Sequence, residues 1–433
     1  MPVPKTPNAR SVARQVIDKT LQGAELQAAL NRHLNSQILS ESDRHLTTQL
    51  VYGYFRLQFR LECIISSLLT KKRNSLPGSV FRHLCLGAYE ICFLSRIPDF
   101  ATVHWYVQQI KTNYSPRLAG LANAVLRRVC KEKENFLDRD FYAWDQPDRV
   151  TFLARYFSCP AWIVGLCLDA FGPEKGETVL NRGLHSPPVG LRFHPEATGW
   201  TELYAHLSSQ YSPREQTFRG LALDSAPDRE IRKAEAQGLL TRQSMAAQQA
   251  LDQADPANWP RPVWDACAGR GLKTGQLLEE KCSPLWASDI YARKVAACRS
   301  ELTRLHLPHI PLFVADAARP PLAREKAYSI LLDVPCSGLG VLSRRPDIKA
   351  KRRPEDIPGL ISLQSTLLTS CLSILPPGGR LIYMSCTFNP AENQDLVYQV
   401  LKQNPGLGRV QAIHLPNPDS ALGEYFFTAC ISV

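Results

Sequence analysis

Of the 13 cysteines in this 433-residue sequence, Cys336 and Cys386 sit where chemistry explains them better than packing does. Cys336 follows Ile330-Leu331-Leu332-Asp333-Val334-Pro335, an apolar strand pattern that ends in an aspartate and a turn stiffened by proline. Cys386 follows Arg380-Leu381-Ile382-Tyr383-Met384-Ser385, a second strand pattern. A thiol at a strand end is reachable, and its thiolate is a strong nucleophile. By contrast Cys85 and Cys92, in His83 to Leu94, read as small buried hydrophobes. An odd cysteine count with no C-x-x-C pair argues against a zinc ribbon and a secreted disulfide framework, so no metal is expected.

Six cations in ten residues lie between the two thiols: Arg344, Arg345, Lys349, Lys351, Arg352 and Arg353. A charge run is most often a solvated loop. Its closeness to a cysteine site favours a different expectation, that it holds phosphates and depresses the thiol pKa.

A second constellation starts at Val263. There a strand runs into Asp265-x-Cys267-x-Gly269-x-Gly271 and then into a helical pattern. Glycines allow a tight turn and close approach of a ligand to helix N–H groups. Alone the pattern also fits an ordinary strand-to-helix corner. Asp289 follows the next strand, where an acidic residue accepts hydrogen bonds from ribose hydroxyls, and Asp316 follows the one after, where it could face an adenine. Each aspartate alone would read as a helix cap. The ordered set favours a nucleoside-bearing cofactor.

These residues need elements to position them. From about Gln243 onward short apolar strands alternate with helices, as in a parallel α/β sheet, with strands expected at Pro262–Trp264, Pro284–Ala287, Leu312–Val314, Ser329–Leu332 and Arg380–Met384. Ligands in such sheets bind at the carboxyl ends of strands. From Ala9 to about Leu137 the pattern is helical: Val12, Val16 and Ile17 share a face, as do Leu46, Leu50 and Tyr54. Ser42 or Asp43 is the expected cap of the second helix, Leu76-Pro77-Gly78 a turn, and Pro98 and Pro116 mark helix ends. Arg127, Arg128, Lys131 and Lys133 cluster near the close of this bundle. Between the two regions a Pro-rich stretch suggests a small α+β domain with a strand at Val189–Phe193 and a helix at Trp200–Leu207. The boundaries so drawn are 1–138, 139–242 and 243–433.

A net charge of +11 favours a polyanionic partner, although a basic protein can simply be soluble. Hydrophobic content of 44% with 21% charged residues is ordinary for a globular chain. No run approaches a membrane span, and the opening Met-Pro-Val-Pro-Lys-Thr-Pro lacks the apolar core of a secretory signal. No membrane association is expected, and the expected location is the cytoplasm.

The motifs together resemble those of the bacterial RsmB/Sun/Fmu family of 16S rRNA cytosine-C5 methyltransferases over nearly the whole chain. The family's CAAPGGKT loop stands here as Cys267-Ala268-Gly269-Arg270-Gly271-Leu272-Lys273-Thr274. Its DAPCS is Asp333 to Ser337, its RRHPDIKW is matched by Arg344 to Lys349, and its TCS and PEEN are Ser385-Cys386-Thr387 and Pro390-Ala391-Glu392-Asn393. Arg96-Ile97-Pro98 and Asn123 to Arg128 look like the NusB-type RNA-binding domain that precedes the catalytic domain in that family. The resemblance implies an α/β class I (Rossmann-like) methyltransferase domain behind an all-α NusB-like domain and the small α+β connector. It implies S-adenosylmethionine as cofactor, bound by Cys267, Ala268, Gly269, Arg270, Gly271, Leu272, Lys273, Asp289, Asp316 and Asp333. It further implies that Cys386 adds to C6 of a cytosine, that Cys336 assists proton loss and release, and that Asp333 contacts both base and cofactor. The implied partner is 16S ribosomal RNA of the small subunit, with the enzyme a monomer. A flipped-out base would be needed.

Departures are Arg270 and Leu272 in the glycine loop, with Leu272 expected to crowd the methionine end of the cofactor, and Arg192-Phe193-His194 where the family has Arg-x-Asn. Two alternatives remain open at this point. A DNA cytosine methyltransferase would use Cys336 as nucleophile. An RNA-binding assembly factor with a weakened methyltransferase domain would retain neither activity nor need for the thiols.

Overall fold

The computed structural model describes residues 8–69 and 76–433, so the opening stretch read for a secretory signal lies outside the described residues. The chain divides into two compact units, 1–185 with 345–352, and 186–344 with 353–433. The stretch expected as one connector is therefore shared: residues 139–185 pack with the first unit and 186–242 with the second. Among the described residues no single helix is long and apolar enough to cross a membrane.

The first unit is helical. Its opening helix, Ala9–Leu21, starts at a capping box in which Asn8 accepts from Ser11 N and Ser11 Oγ accepts from Asn8 N. Val12, Val16, Ile17, Leu50 and Tyr54 are all buried in one core, with Leu46 packed at its margin. The long helix Glu41–Leu68 is capped by Ser40 rather than by Ser42 or Asp43. The reason is local: Asp43 uses its carboxylate on the Ser40 hydroxyl while its N–H donates back to Ser40 Oγ. Leu76-Pro77 leads into the helix Gly78–Phe93, so Gly78, expected in the turn, is the first helical residue. Pro98 and Pro116 fall at helix starts, with Ser115 capping Pro116–Leu137 through Leu118 N, because proline lacks only an N–H the first turn does not use. Glu90 is fully buried and is satisfied by Arg10 in a two-pronged pair, by Tyr106 Oη at 2.6 Å and by Thr102 Oγ1 at 3.1 Å. Of the basic cluster here, Arg128 pairs with Glu132 one turn on and Lys133 lies 3.8 Å from Asp99, while Arg127 and Lys131 are exposed.

The segment Arg345–Arg352 leaves the second unit and packs within this helical one. It places Lys349, 3% exposed, with its Nζ donating to the carbonyls of Arg56 at 2.6 Å and Ser158 at 2.8 Å.

The second unit holds two sheets. The smaller is antiparallel in the order β2-β3-β1-β4, from β1 (Val189–Phe193), β2 (Glu215–Gln216), β3 (Gly220–Leu223) and β4 (Leu240–Arg242). The helix expected at Trp200 runs Trp200–Tyr211. The larger sheet comprises β5 (Val263–Asp265), β6 (Leu285–Asp289), β7 (Leu312–Val314), β8 (Ser329–Asp333), β9 (Arg380–Ser385), β10 (Arg409–His414) and β11 (Phe427–Ser432). Their order is β10-β11-β9-β8-β5-β6-β7, with β5 to β9 parallel and β10 and β11 antiparallel. Strands β10 and β11 escaped sequence reading because they close the sheet by hairpin pairing at its edge rather than by strand–helix alternation. Side chains alternate between two cores: Ile330, Leu332, Leu381 and Tyr383 face the helices Asp356–Leu372 and Gln394–Gln403, whereas Leu331, Ile382 and Met384 face the side of Leu272–Glu279 and Ala292–Arg304.

The two sheets are tied together by charge. Arg192 of β1 is 1% exposed, and its guanidinium pairs with Glu279 at 2.9 Å and donates to Leu272 O at 2.7 Å. Arg219 also pairs with Glu279 at 2.9 Å, so one carboxylate at the end of the helix Leu272–Glu279 answers two buried guanidiniums.

Burial pulls the Lys349 ammonium down to about 8, with the adjacent Arg56 charge adding to the fall. Between that value and the ordinary 10.5 the unfolded chain binds the extra proton, so folding stability should rise with pH across this window, by on the order of 3 kcal/mol for this group. Urea unfolding from pH 8 to 10 should show that rise in the wild type and a flatter profile in Lys349→Met.

Candidate active site

Parallel pairing puts the carboxyl ends of β5, β6, β8 and β9 on one edge of the large sheet. Strand β5 has β6 on one side and β8 on the other, so the loop after β5 opens where strand order reverses, the position at which such sheets bind ligands.

That loop is Ala266 to Gly271. Gly269 (φ +59°) and Gly271 (φ +85°) both occupy the left-handed region that glycine tolerates. Gly271 is the N-cap of Leu272–Glu279, and a Cβ on it would meet Cys298 Sγ at 2.6 Å. A Cβ on Gly269 would meet nothing nearer than Cys267 O at 4.0 Å, so the backbone is open on that side. Asp289, 4% exposed, accepts from Gly269 N at 3.1 Å, Tyr291 N at 3.0 Å and Lys294 Nζ at 3.3 Å, and so fixes the loop from β6. Asp316 folds back on its own loop, accepting from Ala318 N at 2.9 Å. Arg270 is exposed, and Cys267, Ala268 and Leu272 are half-buried.

Asp265 is a further carboxyl at this edge, in the quoted motif but with no role assigned from the sequence. It is 1% exposed, accepts from Thr274 Oγ1 at 2.7 Å, and burial with the nearby Asp333 charge pushes it up to about 7. Its signal was its place at the end of β5, before the glycines.

Across the edge, β8 ends in Asp333, whose Cα partner on β9 is Met384. Lys273 Nζ donates to Asp333 Oδ2 at 2.6 Å and lies 5.7 Å from the centre of the Phe426 ring. Burial by itself would lower the Lys273 ammonium, but the Asp333 carboxylate, with smaller help from Cys386 and Asp265, holds it above its ordinary value. Cys336 and Cys386 bring their sulfurs to 3.2 Å, and Cys386 N donates to Cys336 Sγ at 3.3 Å. Cys336 is pushed well above the ordinary thiol range, first by its hydrogen bond to Cys386, then by burial, then by the Cys386 and Glu392 charges. Gly340 N donates to Cys386 O at 2.9 Å, and a Cβ at Gly340 would sit 2.0 Å from Tyr425 O, so the turn after Cys336 can carry only glycine there.

The basic run does not form the single phosphate-holding face expected of it. Arg344 is spent on Glu424, at 2.7 and 2.9 Å, Lys349 on two backbone carbonyls, and Lys351 on Asp347 at 2.9 Å. Arg345 and Arg353 are exposed. Nor does the run depress Cys336: the cation beside the thiols is Lys273, from the glycine loop.

With this geometry in place the comparisons with known proteins are decisive. The chain is 33% identical over 414 residues to ribosomal RNA small subunit methyltransferase B of Pseudomonas putida, covering 92% of this chain and 90% of that one. The chain belongs to this family. The 16S rRNA methyltransferase RsmB/F family model matches residues 252–423, and the NusB family model matches residues 7–131. The fold is shared with the crystal structure of PH0851, at TM-score 0.77 and 17% identity over 100% of each chain. It is shared also with a methyltransferase homolog protein from Pyrococcus horikoshii, at TM-score 0.55 and 21% identity over 66% of this chain and 99% of that one. The protein is thus an rRNA methyltransferase with a NusB domain, as the resemblance implied, and the DNA-enzyme alternative falls.

Substitution should separate the two loop glycines. Gly271→Ala combines a left-handed residue with a clash and should cost about 2 kcal/mol or more, part of which Cys298→Ala returns. Gly269→Ala meets no atom and should cost about 1 kcal/mol, the backbone penalty alone. Urea unfolding of the three variants checks the order.

Proposed function

We propose that this enzyme transfers the methyl group of S-adenosylmethionine to C5 of a cytosine in 16S rRNA, with Cys386 bonded to C6 during the transfer. The observation that carries the reading is the thiol pair, 3.2 Å apart, beside the Lys273–Asp333 ion pair.

The residues present fit the cofactor. The open backbone at Gly269 accepts close approach, and Asp289, Asp316 and Asp333 offer carboxylate acceptors along the strand ends for a ribose diol and a cationic amino-acid end. Cys267, Ala268, Arg270, Gly271, Leu272 and Lys273 complete the cradle. Bound there, S-adenosylmethionine supplies an electrophilic methyl group.

Two thiols this close cannot readily both ionise, since each charge opposes the other. Cys336 holds its proton most tightly, which leaves the charge to Cys386, near the Lys273 ammonium. The Cys386 thiolate forms a bond to C6, and the C5=C6 electron pair becomes available at C5 to take the methyl group. Asp333 accepts from the exocyclic amine of the base and so orients it. Bonding of Cys386 removes the charge and the hydrogen bond that held the proton on Cys336. Cys336 then gives its proton to solvent and, as a thiolate, takes the C5 proton; the C5–H electron pair re-forms C5=C6, the C6–S bond breaks, and Cys386 leaves as thiolate.

Cys386→Ala should abolish methylation and adduct formation on unmodified 16S rRNA. Cys336→Ala should retain adduct formation but lose turnover by about 100-fold or more, with adduct accumulating on a denaturing gel. Bisulfite sequencing of the product should place the methyl at a cytosine C5. Adduct formation by Cys386→Ala would overturn the assignment of the nucleophile.

A further inference from the structure

The Pro390-Ala391-Glu392-Asn393 segment has no part in the chemistry just described, yet two consecutive residues of it bracket the two thiols. Glu392 reaches the Cys336 turn. Its side chain is fully buried, and Oε2 accepts from Ser337 N, the residue after Cys336, at 2.8 Å. Gln364 Nε2 donates both to Glu392 Oε2 and to Pro335 O, the residue before Cys336, at 3.0 Å each. Asn393 reaches the Cys386 turn on both sides. Its Oδ1 accepts from Ser385 Oγ at 2.6 Å and its Nδ2 donates to Thr387 O at 2.9 Å. The two turns meet at Ser337 Oγ and Thr387 Oγ1, 2.8 Å apart, and the segment is pinned to β9 by Tyr383 Oη donating to Glu392 O at 2.8 Å.

The donors around Glu392 identify its ionic state. Its third partner is Asn389 Nδ2, at 3.1 Å from Oε1, and the Asn389 amide is oriented because its Oδ1 accepts from Ala391 N. Gln364 must present its NH2, since its other partner is a carbonyl. All three donors are therefore N–H groups, the set that a carboxylate, an acceptor only, takes up. None carries a positive charge, so the charge of Glu392 is uncompensated by its hydrogen-bond partners and acts on its surroundings at short range. Cys336 and Tyr383 are titratable neighbours that register it.

We propose that Glu392 is a positioning residue for the thiol pair: its buried carboxylate clamps the Cys336 turn against the Cys386 turn and sets an uncompensated negative charge beside Cys336. The inference rests on the two-thiol reading only for its consequence in methylation; the clamp and its charge act in the protein without RNA. Asn393 supplies the neutral half of the clamp, and Glu392 supplies a charge that adds to the Cys386 hydrogen bond and the burial holding Cys336 protonated.

The test reads iodoacetamide alkylation of the Cys336 peptide by mass spectrometry from pH 6 to 11, in the Cys386→Ala protein with Glu392 or with Glu392→Gln. Loss of the charge should lower the titration midpoint of Cys336 by about one pH unit, with alkylation below the midpoint about tenfold faster. With both thiols present, Glu392→Gln should slow methylation of 16S rRNA by about tenfold or more while leaving KM for the RNA unchanged. Glu392→Asp keeps the charge but falls short of Ser337 N. It should retain the high Cys336 midpoint and still slow methylation, and it carries the test if the glutamine variant does not fold. An unchanged midpoint in Glu392→Gln, or a parental rate in Glu392→Asp, overturns the inference. If the parent forms no adduct with RNA while Glu392→Gln still lowers the midpoint, the two-thiol chemistry fails and the role of Glu392 on Cys336 stands. An adduct in the parent with an unmoved midpoint gives the reverse.

Discussion

The parallel pairing of β8 with β9 is the constraint on which the site depends. Asp333 and Met384 are opposite one another in that ladder, so the chain emerging from each strand begins its turn at the same level of the sheet. Cys336 and Cys386 lie 50 residues apart in sequence, yet their sulfurs meet at 3.2 Å because the two turns are laid side by side. Every other feature of the site serves this adjacency. Gly340 lets the turn after Cys336 pass close to Tyr425 O and hydrogen-bond Cys386 O, and Glu392 and Asn393 brace the turns from behind.

Around the pair, charge is placed with unusual economy for a chain with an excess of cations. Lys273 stands beside Asp333 and the thiols, Arg344 is fastened to Glu424, and Glu279 answers both Arg192 and Arg219. The last of these reaches the site indirectly, because Arg192 also donates to Leu272 O at the first turn of the helix that the glycine loop opens. The small antiparallel sheet thereby helps fix the start of that helix. The net basic charge that favours an RNA partner is thus not drawn from these residues, which are consumed in holding the fold.

The excursion at Arg345–Arg352 shows the same use of cations. A lysine buried among backbone carbonyls, with its ammonium drawn down to about 8, is an expensive way to seat a short helix. The segment joins the helical unit although its sequence neighbours on both sides belong to the sheet unit, so the two units are not separable by a single cut in the chain.

The sequence by itself pointed to the candidate site residues and determined the order of the elements that present them. Two thiols, three strand-end aspartates and a glycine turn were legible because each is a local signal: an apolar run of strand length, then a residue whose type the turn or the reaction demands. Strands β5 to β9 were legible to within two residues at either end for the same reason. What only the tertiary structure decided was partnership. A run of arginines and lysines looks the same in sequence whether it faces a phosphate, a glutamate or a backbone carbonyl, and Arg344, Lys349 and Lys351 turned out to have partners far along the chain or in a buried turn. The cap of Glu41–Leu68 is Ser40 rather than Ser42 or Asp43 because the Ser40 and Asp43 side chains bond each other, a competition that propensity does not resolve. Glu392 and Asp265 were visible as letters in motifs, but their weight comes from complete burial beside groups that pairing of distant strands brings to them, and burial is a property of the packed chain alone.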